Sequence, residues 1–453
     1  MADRLDGCGQ MEKEKEPGDE FAFCEDYKRF LDCAKTEREA VRALIAELEG
    51  DGFVPYDRSK IWRPGDRIYF NQRNKALILA VIGERGLAKG ARLAAAHIDS
   101  PRLDVKPAPL YAQEGLAFFK THYYGSLRKY QWAAIPLAIH GCVCLSDGEM
   151  VDICIGEKKG EPQFTVSDLL PHLASGFTPR PVDEIITGER LNVVIGSGNR
   201  ENGGEFLKDE VLRLLKEFYG IEEQDFWSAE LCFVPAFGST DVGIDRSLIG
   251  AYGQDDTVCA YPAVQALRGL KIPENTCIVV LADKEETGNG STTGMDSTYM
   301  DDFIEDLAEG EGLKLRHVYA MSRSLSVDAS SAYDPNYPEA FDPLNTAYLN
   351  KGPILQKYSG LRGKSETADA CAEYLGELRT ILKQEQIAYQ IGEIGKVDCG
   401  GGKTISRCLA VRNLQTADLG VPVLSMHAPF EITSKRDIYL LYRGISAFFH
   451  TPI

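Results

Sequence analysis

Apolar residues follow two kinds of spacing along the chain, one typical of helices and one typical of buried strands. Residues 21–49 repeat apolar side chains at helical intervals, and the pattern stops at Gly50, which predicts a helix that ends there. Helical spacing returns in the segments 255–270, 368–386 and 437–449. Continuous apolar runs predict buried strands that end in polar residues. These runs are 75–83, 92–99, 277–286 and 421–428.

Residues 108–245 have a different pattern from the regions on either side. Short runs of alternating apolar and polar residues are separated there by glycine, proline and charged turns, which predicts a β-rich domain. Helices and strands alternate before and after it, as in an α/β fold. We therefore predict one mixed-sheet α/β/α domain formed by residues 21–107 and 246–453, with the β-rich domain 108–245 inserted into it. The polar residues 1–20 predict a flexible tail.

The composition of the chain argues against nucleic-acid binding, a membrane span and secretion. The chain has 453 residues and a formal net charge of -18, and such an acidic chain repels phosphate backbones, so nucleic acid is not an expected partner. No apolar run reaches about 18 residues, so no membrane span is predicted. Residues 1–20 lack the apolar stretch of a secretory signal, which predicts a cytoplasmic location. The 12 cysteines include no C-x-x-C pair and are expected to be reduced, buried thiols.

Side chains that could bind metal recur where the predicted strands end and where one predicted helix begins. They are His97, Asp99, Asp255, Asp256, Glu285, Glu286, Asp328 and His427. In open α/β sheets, ligands bind beyond the carboxyl ends of the strands. Carboxylates combined with imidazoles suit Zn²⁺, Mn²⁺ or Co²⁺. Two histidines and three or four carboxylates exceed the needs of one tetrahedral ion, and they fit two ions about 3.5–4 Å apart that share a carboxylate and a water.

Two short spacings suggest a division of roles. On a strand, residues two apart share a side, so Asp99 can accept a hydrogen bond from the ring nitrogen of His97 that does not bind metal. Neighbouring side chains point in different directions, so one of Glu285 and Glu286 can bind metal while the other stays free as a general base. These spacings therefore indicate a catalytic metal centre.

Each of these signals has an ordinary structural explanation when it stands alone. A histidine at a strand end is more often a hydrogen-bonded core residue, and a Glu-Glu pair is usually a solvated turn. Two aspartates before a helix usually cap it. The segment GNGSTTG (288–294) is rich in glycine like a phosphate loop, but it lacks the lysine and the spacing of one. The joint occurrence of the signals at successive element ends is what favours a metal centre.

These residues lie in elements that resemble those of the M18 metallo-aminopeptidases, the aspartyl aminopeptidase family. The matching elements are HIDSPRLDVKP (97–107), QDDTVCAY (254–261), DKEETGNGS (283–291), SVDASSAYDPNY (326–337) with LNKGP (349–353), and Met426-His427. The resemblance implies the α/β/α fold of a di-metal exopeptidase. It also implies that the protein hydrolyses the N-terminal residue from peptides that have a free N-terminus.

The resemblance implies two divalent ions per chain, with zinc as the first choice and manganese or cobalt as alternatives. His97 and Asp328 would hold one ion, Glu286 and His427 would hold the other, and Asp255 would bridge them. The five ligands come from distant stretches of the chain, so the site is expected to form only in the folded domain.

The resemblance also implies the remaining catalytic roles. Glu285 would be the general base that acts on the water bridging the two ions, and Asp99 would orient His97. In that family a histidine in an I-P-x-L-A-x-H stretch of the insert reaches the site of a neighbouring subunit, and AAIPLAIHG offers His140 here. There it could hydrogen-bond the developing oxyanion. The alternative, a strand histidine satisfied within its own subunit, stays open.

The resemblance implies that the protein forms an oligomer, but it does not imply which N-terminal residue is preferred. The insert would drive formation of a homo-oligomer, typically a dodecamer built from dimers. The segment after LNKGP departs from better-known members, so a preference for acidic N-terminal residues is not implied. Lys357, Arg362 and Lys364 are candidates to receive a substrate carboxylate, with a solvated loop cation as the alternative for each. Asp256, where many members have asparagine, and Glu285 are candidates to bind the free α-amine.

Two other classes of function stay open at this point. Another two-metal amide hydrolase, such as a deacylase or dipeptidase, could use the same ligands. A catalytically silent assembly protein could use metal ions to hold a cage together. The presence of Glu285 beside Glu286 speaks against this second alternative, because a purely structural site needs no free base.

Overall fold

The computed structural model describes residues 19–174, 181–198 and 203–453. The predicted tail, residues 1–20, lies outside the described residues except for Asp19 and Glu20, which belong to the first helix. The helices are α1 Asp19–Cys33, α2 Glu37–Gly50, α3 Pro171–Ala174, α4 Val182–Ile185, α5 Gly203–Tyr219, α6 Gln254–Arg268, α7 Tyr299–Gly310, α8 Leu315–Met321, α9 Ala372–Gln384, α10 Ser406–Ala410 and α11 Lys435–His450.

The strands form three sheets. They are β1 Val54–Pro55, β2 Arg67–Gln72, β3 Ala76–Val81, β4 Arg92–His97, β5 Arg102–Gln113, β6 Leu116–Tyr124, β7 Leu137–Cys144, β8 Met150–Ile155, β9 Thr165–Val166, β10 Val193–Ser197, β11 Ala229–Pro235, β12 Thr240–Val242, β13 Leu248–Ala251, β14 Cys277–Ala282, β15 Arg323–Ser326, β16 Ser330–Ser331, β17 Ile354–Gln356, β18 Gln390–Ile391, β19 Gln415–Gly420, β20 Pro422–Leu424 and β21 Glu431–Ser434.

The largest sheet has nine strands in the order β1-β2-β3-β14-β4-β15-β19-β17-β18. Its central strands β14, β4, β15 and β19 are parallel to one another, whereas β3 and β17 on either side run antiparallel to them. The carboxyl ends of the four central strands therefore meet at one edge of the sheet. This is the mixed sheet that the sequence predicts.

Helices cover both faces of this sheet, as predicted for an α/β/α domain. Along β3, Leu77 and Leu79 belong to a core shared with α1, α2, α6, α9 and α11. Ile78 and Ala80 belong to a second core shared with α7, α8 and α10. A strand that is covered on both faces has a continuous apolar sequence, because its side chains are shielded from water on either side of the sheet.

The second sheet has seven strands in the order β8-β7-β11-β5-β6-β10-β9 and lies within residues 102–235. Its core includes Trp132 and Phe233 and packs against α5. Most of the sheet falls in the segment predicted as an insert, 108–245, and the division into two domains stays a prediction. The third sheet, β12-β13-β21-β20-β16, lies beside the carboxyl ends of the central strands.

The structure differs from the prediction over residues 421–428. The strand of the large sheet is β19, which ends at Gly420, and β20 then pairs with β16 and β21 in the third sheet. A Cβ atom at Gly420 would lie 1.7 Å from the backbone oxygen of Asp328, so only glycine allows the chain to pass so close to the end of β15. His427 therefore lies in a loop beyond β20 and not at the end of a long strand.

Two further observations concern the predicted absence of a membrane span and the predicted state of the cysteines. Among the described residues, no helix combines the length and the apolar composition needed to cross a bilayer. The cysteines that the structure describes are free thiols, as predicted, but the prediction that they are buried is wrong for Cys33, Cys154, Cys371 and Cys399, which are exposed.

Candidate metal centre

Three of the predicted metal ligands come from neighbouring parallel strands. His97 is the last residue of β4, Glu286 follows β14 on one side of it, and Asp328 follows β15 on the other. Asp255 lies in the first turn of α6, and His427 lies in the loop after β20. Because β4 lies between β14 and β15, side chains from both neighbours meet over its end.

Asp255 lies between the two histidines. Its Oδ1 atom is 3.4 Å from Nε2 of His97, and its Oδ2 atom is 3.1 Å from Nε2 of His427. Nε2 of His427 also lies 3.5 Å from Oε1 of Glu286. One carboxylate therefore faces both imidazoles, which is the position of a bridging group.

The ligand atoms form two groups that share Asp255. One group contains His97, Asp255 and Asp328, and the other contains Asp255, Glu286 and His427. Within each group, one ligand atom from every residue lies within 4.8 Å of the others. The structure thus brings all five predicted ligands together.

The chemistry of these groups fits divalent cations. Oε1 of Glu286 and Oδ2 of Asp328 are buried and have no hydrogen-bond partner among the residues that the structure describes, which is costly for a polar atom unless another partner is supplied. Burial raises the pKa of both Glu286 and Asp328 well above the usual value, and the nearby Asp255 adds to the rise. Cations would pair with these oxygens and favour their charged form. A mixed set of imidazole and carboxylate donors is one that zinc accepts.

Asp99 is fully buried and contacts both sides of the centre. Nδ1 of His97 lies 3.0 Å from the backbone oxygen of Asp99 and 3.4 Å from its Oδ1 atom. The Asp99 carboxylate also accepts hydrogen bonds from the backbone N–H groups of Glu285 and Glu286, at 3.1 and 3.2 Å. Asp99 can therefore orient the His97 ring and hold the Glu-Glu pair.

Glu285 is partly buried and belongs to neither group of metal-binding side chains. Burial raises its pKa to about 7. A carboxyl group with a pKa near neutrality can accept a proton and release it again at pH 7. This residue therefore has the properties of a general base.

Sequence reasoning missed Glu431, a buried carboxylate on β21. Its Oε1 accepts a hydrogen bond from the backbone N–H of His427 at 2.7 Å, and its Oε2 accepts one from that of Asp255 at 3.1 Å. Glu431 thus fixes the backbone of two predicted ligands. The only signal is its position four residues after His427, and no strand is predicted there.

Sequence reasoning also missed the residues at the end of β6. The Tyr124 hydroxyl donates a hydrogen bond to Oδ2 of Asp99 at 2.6 Å. The backbone oxygen of Ser126 lies 2.7 Å from Nδ1 of His427. Both residues belong to the segment predicted as a separate β-rich insert, and their spacing carries no metal-binding pattern.

Asp256 differs from its predicted role in substrate binding. It is fully buried, its Oδ2 accepts from the backbone N–H of His97 at 3.3 Å, and its Oδ1 accepts from that of Ala329 at 3.0 Å. Both oxygens are used within the protein, and the side chain has no exposed surface. The carboxylate therefore ties the end of β4 to the segment after β15, and this burial argues against contact with a substrate amine.

His140 is buried, and its two ring nitrogens have partners within the same chain. Nδ1 lies 2.7 Å from Oε1 of Glu39, and Nε2 lies 2.9 Å from Oε1 of Glu157. These contacts favour the alternative in which His140 is satisfied within its own subunit. Its action in a neighbouring subunit stays a prediction.

The three predicted substrate-binding cations lie on one exposed loop, at Lys357, Arg362 and Lys364. Nζ of Lys357 is 4.0 Å from Oδ1 of Asp369, and Nζ of Lys364 is 3.7 Å from Oδ2 of the same residue. Lys364 also lies over the ring of Tyr358. Among the described residues, no hydrogen bond or ion pair joins these cations to the metal centre. A substrate contact by Lys357 stays a prediction.

The chain is similar in sequence to one family model and to curated proteins of the same description. The model of the family described as aminopeptidase I zinc metalloprotease (M18) matches residues 30–449. A probable M18 family aminopeptidase 1 of Clostridium acetobutylicum is 45% identical over 438 residues, which cover 94% of each chain. A protein of the same description from Thermotoga maritima is 41% identical and covers 94% of this chain and 95% of its own length.

Solved structures show the same similarity. The crystal structure of an M18 aminopeptidase from Thermotoga maritima superposes with a TM-score of 0.91 at 38% identity, covering 98% of this chain and 100% of that one. Aminopeptidase I from Clostridium acetobutylicum superposes with a TM-score of 0.88 at 42% identity, covering 95% of each chain. The S. cerevisiae mApe1 dodecamer shares the fold, with a TM-score of 0.77 at 20% identity, covering 95% of this chain and 96% of that one.

Proposed function

Because the chain belongs to the M18 family of zinc metallo-aminopeptidases, we propose that it removes N-terminal residues from peptides at a centre of two divalent ions. The observation that supports this most directly is the pair of side-chain groups that share Asp255. His97 and Asp328 would bind one ion, and Glu286 and His427 the other. Zinc is the first choice, and manganese or cobalt fit the same oxygen-rich donors.

Two residues around the centre have different tasks: Glu285 transfers protons, and Asp99 positions its neighbours. Bound ions of this kind lower the pKa of a shared water and polarise the scissile carbonyl. Glu285 accepts the proton of the attacking water and then donates it to the leaving amine. Its pKa of about 7, which results mainly from burial, suits both steps. Asp99 holds the backbone N–H groups of Glu285 and Glu286, so that base and ligand keep separate orientations.

The proposed function is tested with matched pairs of peptides that differ only in N-acetylation. The apo protein is loaded with zinc, manganese or cobalt in turn, and the products are followed over time. We expect stepwise shortening of the free peptides and no cleavage of the acetylated ones. Cleavage of acetylated substrates would instead indicate a deacylase or another amide hydrolase.

The role of Glu285 is tested by Glu285→Gln, which keeps the size and polarity of the side chain but removes its ability to accept a proton. We expect both metal ions to remain bound and turnover to fall by a factor of about 10²–10⁴, the contribution typical of a general base. Elemental analysis and peptide hydrolysis measure the two quantities. The control is Glu309→Gln on the exposed surface of α7. Near-normal hydrolysis by Glu285→Gln would contradict the assignment.

We also propose that the protein forms a homo-oligomer, with a dodecamer as the specific form. The support is the shared fold with the S. cerevisiae mApe1 dodecamer. Sedimentation velocity of the purified protein tests this, because a dodecamer of a 50.0 kDa chain separates clearly from a monomer or a dimer. A single monomeric species at micromolar concentration would contradict the proposal.

A further inference from the structure

The end of β6 brings three consecutive residues of the seven-stranded sheet against the metal centre. Tyr124 is the last residue of the strand, and Gly125 and Ser126 follow it. Each contacts a different side chain of the centre by a different kind of interaction. Tyr124 acts through its hydroxyl, Gly125 through its lack of a side chain, and Ser126 through its backbone oxygen.

Tyr124 holds Asp99. Its buried hydroxyl donates a hydrogen bond to Oδ2 of Asp99, the same oxygen that accepts from the backbone N–H of Glu286. Two cations lie over the tyrosine ring, with the Arg102 guanidinium 4.4 Å and the Lys284 ammonium 4.8 Å from its centre. Contacts of this kind restrict the ring, so the hydroxyl has a defined position relative to Asp99.

Gly125 leaves space for Glu286. A Cβ atom at this position would lie 3.1 Å from Oε2 and 3.3 Å from Cβ of Glu286. The residue also has a φ of +73°, which side chains disfavour. Any other residue would press on a predicted ligand of the second ion.

Ser126 orients His427. Its backbone oxygen lies 2.7 Å from Nδ1 of the ring, while Nε2 faces Asp255 and Glu286. A carbonyl that accepts from Nδ1 leaves Nε2 as the unprotonated nitrogen, which is the form that binds metal. The same short segment therefore acts on a ligand from each of the two metal-binding groups, through Asp99 and His97 on one side and through Glu286 and His427 on the other.

We propose that Tyr124, Gly125 and Ser126 are a positioning segment that fixes the metal ligands of both groups, so that the seven-stranded sheet is part of the catalytic apparatus of its own chain. This inference rests on the proposed function for the identity of the ligands. None of the three residues contacts the substrate in this role. They act by limiting the orientations that Asp99, Glu286 and His427 adopt.

The first test compares Gly125→Ala with Gly148→Ala. Both glycines have a positive φ, but a Cβ atom at Gly148 would meet no atom of the described part of the chain within 4 Å, so this variant controls for backbone strain alone. Zinc affinity is measured by competition with a chromogenic chelator, which does not depend on catalysis. We expect Gly125→Ala to weaken the binding of at least one ion by about 10–100-fold, as for other changes beside metal ligands. We expect Gly148→Ala to bind zinc like the wild type.

The second test compares Tyr124→Phe with Tyr123→Phe, and it covers the case in which Gly125→Ala does not fold. Tyr124→Phe removes only the hydroxyl and keeps the ring beside its two cations. With metal saturating, we expect kcat to fall by about 10–100-fold with a much smaller change in KM. The melting temperature of the apo protein should fall as well, because the buried Asp99 carboxylate loses a hydrogen bond. Tyr123, an exposed residue of the same strand, should tolerate the change in all three measurements.

Unchanged zinc affinity in Gly125→Ala together with unchanged kcat in Tyr124→Phe would overturn the inference. If the wild type binds two ions but cleaves no peptide, the proposed function fails, and the affinity comparison still decides the role of the segment. If the wild type binds no zinc, both the proposed metal centre and this inference are wrong.

Discussion

At the scale of single residues, Asp255 has the charge that its proposed bridging role requires. In the metal-free protein, burial raises its pKa, but the protonated imidazoles of His427 and His97 outweigh this and keep the pKa below its usual value. It is therefore charged at neutral pH, whereas Glu286 and Asp328 depend on added positive charge to become so. In the proposed bridging role, a residue with this property would present a negative charge to both ion positions.

The same scale shows what the sequence can and cannot predict about the site. The sequence pattern supplied the candidate side chains, and the resemblance to the M18 family divided them into five ligands, Glu285 as the base and Asp99 as the residue that orients His97. Tyr124, Ser126 and Glu431 could not be predicted. Tyr124 acts through a hydroxyl and Ser126 through a backbone oxygen, and Glu431 accepts from the backbone N–H of Asp255, 176 positions away. Such contacts depend on how two sheets pack, and no local spacing encodes that.

His140 gives a prediction about stability and pH. Burial lowers its pKa, but hydrogen bonding to Cys154 and to the carboxylates of Glu157 and Glu39 raises it to about 11. The unfolded value is about 6.5, so the pKa is higher in the folded state. The stabilisation is then fully present below about pH 6.5 and is lost as the pH rises towards 11.

We therefore expect His140→Gln to lower the free energy of unfolding most at pH 6 and progressively less above pH 7. Urea unfolding across this pH range measures the difference from the wild type. His317→Gln, a change at an exposed histidine on α8, is the control and should have little effect at any pH. An equal loss at pH 6 and pH 10 would contradict the ion-paired role.

At the scale of elements, apolar spacing locates most helices and strands but not all of their boundaries. The predicted helix 21–49 is two helices, α1 and α2, because Thr36 and Glu39 form a reciprocal capping box at the start of α2. The T-x-x-E spacing is present in the sequence, but the apolar pattern continues through it. Likewise, β19 was not predicted as a separate strand, because Asp418 interrupts its short apolar run.

The capping box leads to a prediction about α2. Thr36→Ala removes the side chain that accepts from the backbone N–H of Glu39, and we expect it to lower the free energy of unfolding by about 1 kcal/mol. Thr36→Ser keeps the hydroxyl and should recover most of this loss. Chemical denaturation of the three proteins measures the effect. Equal stability of the alanine and serine variants would contradict the role of the cap.

At the scale of the whole molecule, metal removal should affect both activity and stability. Ions that bind only the folded state stabilise it by about 2.7 kcal/mol at a free concentration 100 times Kd. We expect a chelator to abolish hydrolysis and to lower the melting temperature, and added zinc to restore both. An Asp255→Asn variant should respond much less to the chelator. Dissociation of an oligomer on chelation, without any hydrolytic activity to lose, would instead favour an assembly protein.

The overall architecture was the most predictable feature at this scale. The mixed α/β/α sheet follows from apolar runs such as 75–83 and 277–286, which form adjacent strands β3 and β14. The contact between the end of β6 and the metal centre was not predictable. The insert is recognised from its sequence pattern, and that pattern does not show which of its residues contact the α/β/α domain. The third sheet was missed for a related reason, since its strands have two to four residues.

The convergence of distant ligands has a consequence for the biosynthesis of the protein. His97 and His427 are separated by 330 positions, and both lie against the same carboxylate in the folded chain. During translation, a ribosome that has released the first histidine must still add these residues before the second one exists. A nascent polypeptide therefore cannot complete the proposed metal centre until residue 427 has been added, so shorter chains of this protein would lack the activity.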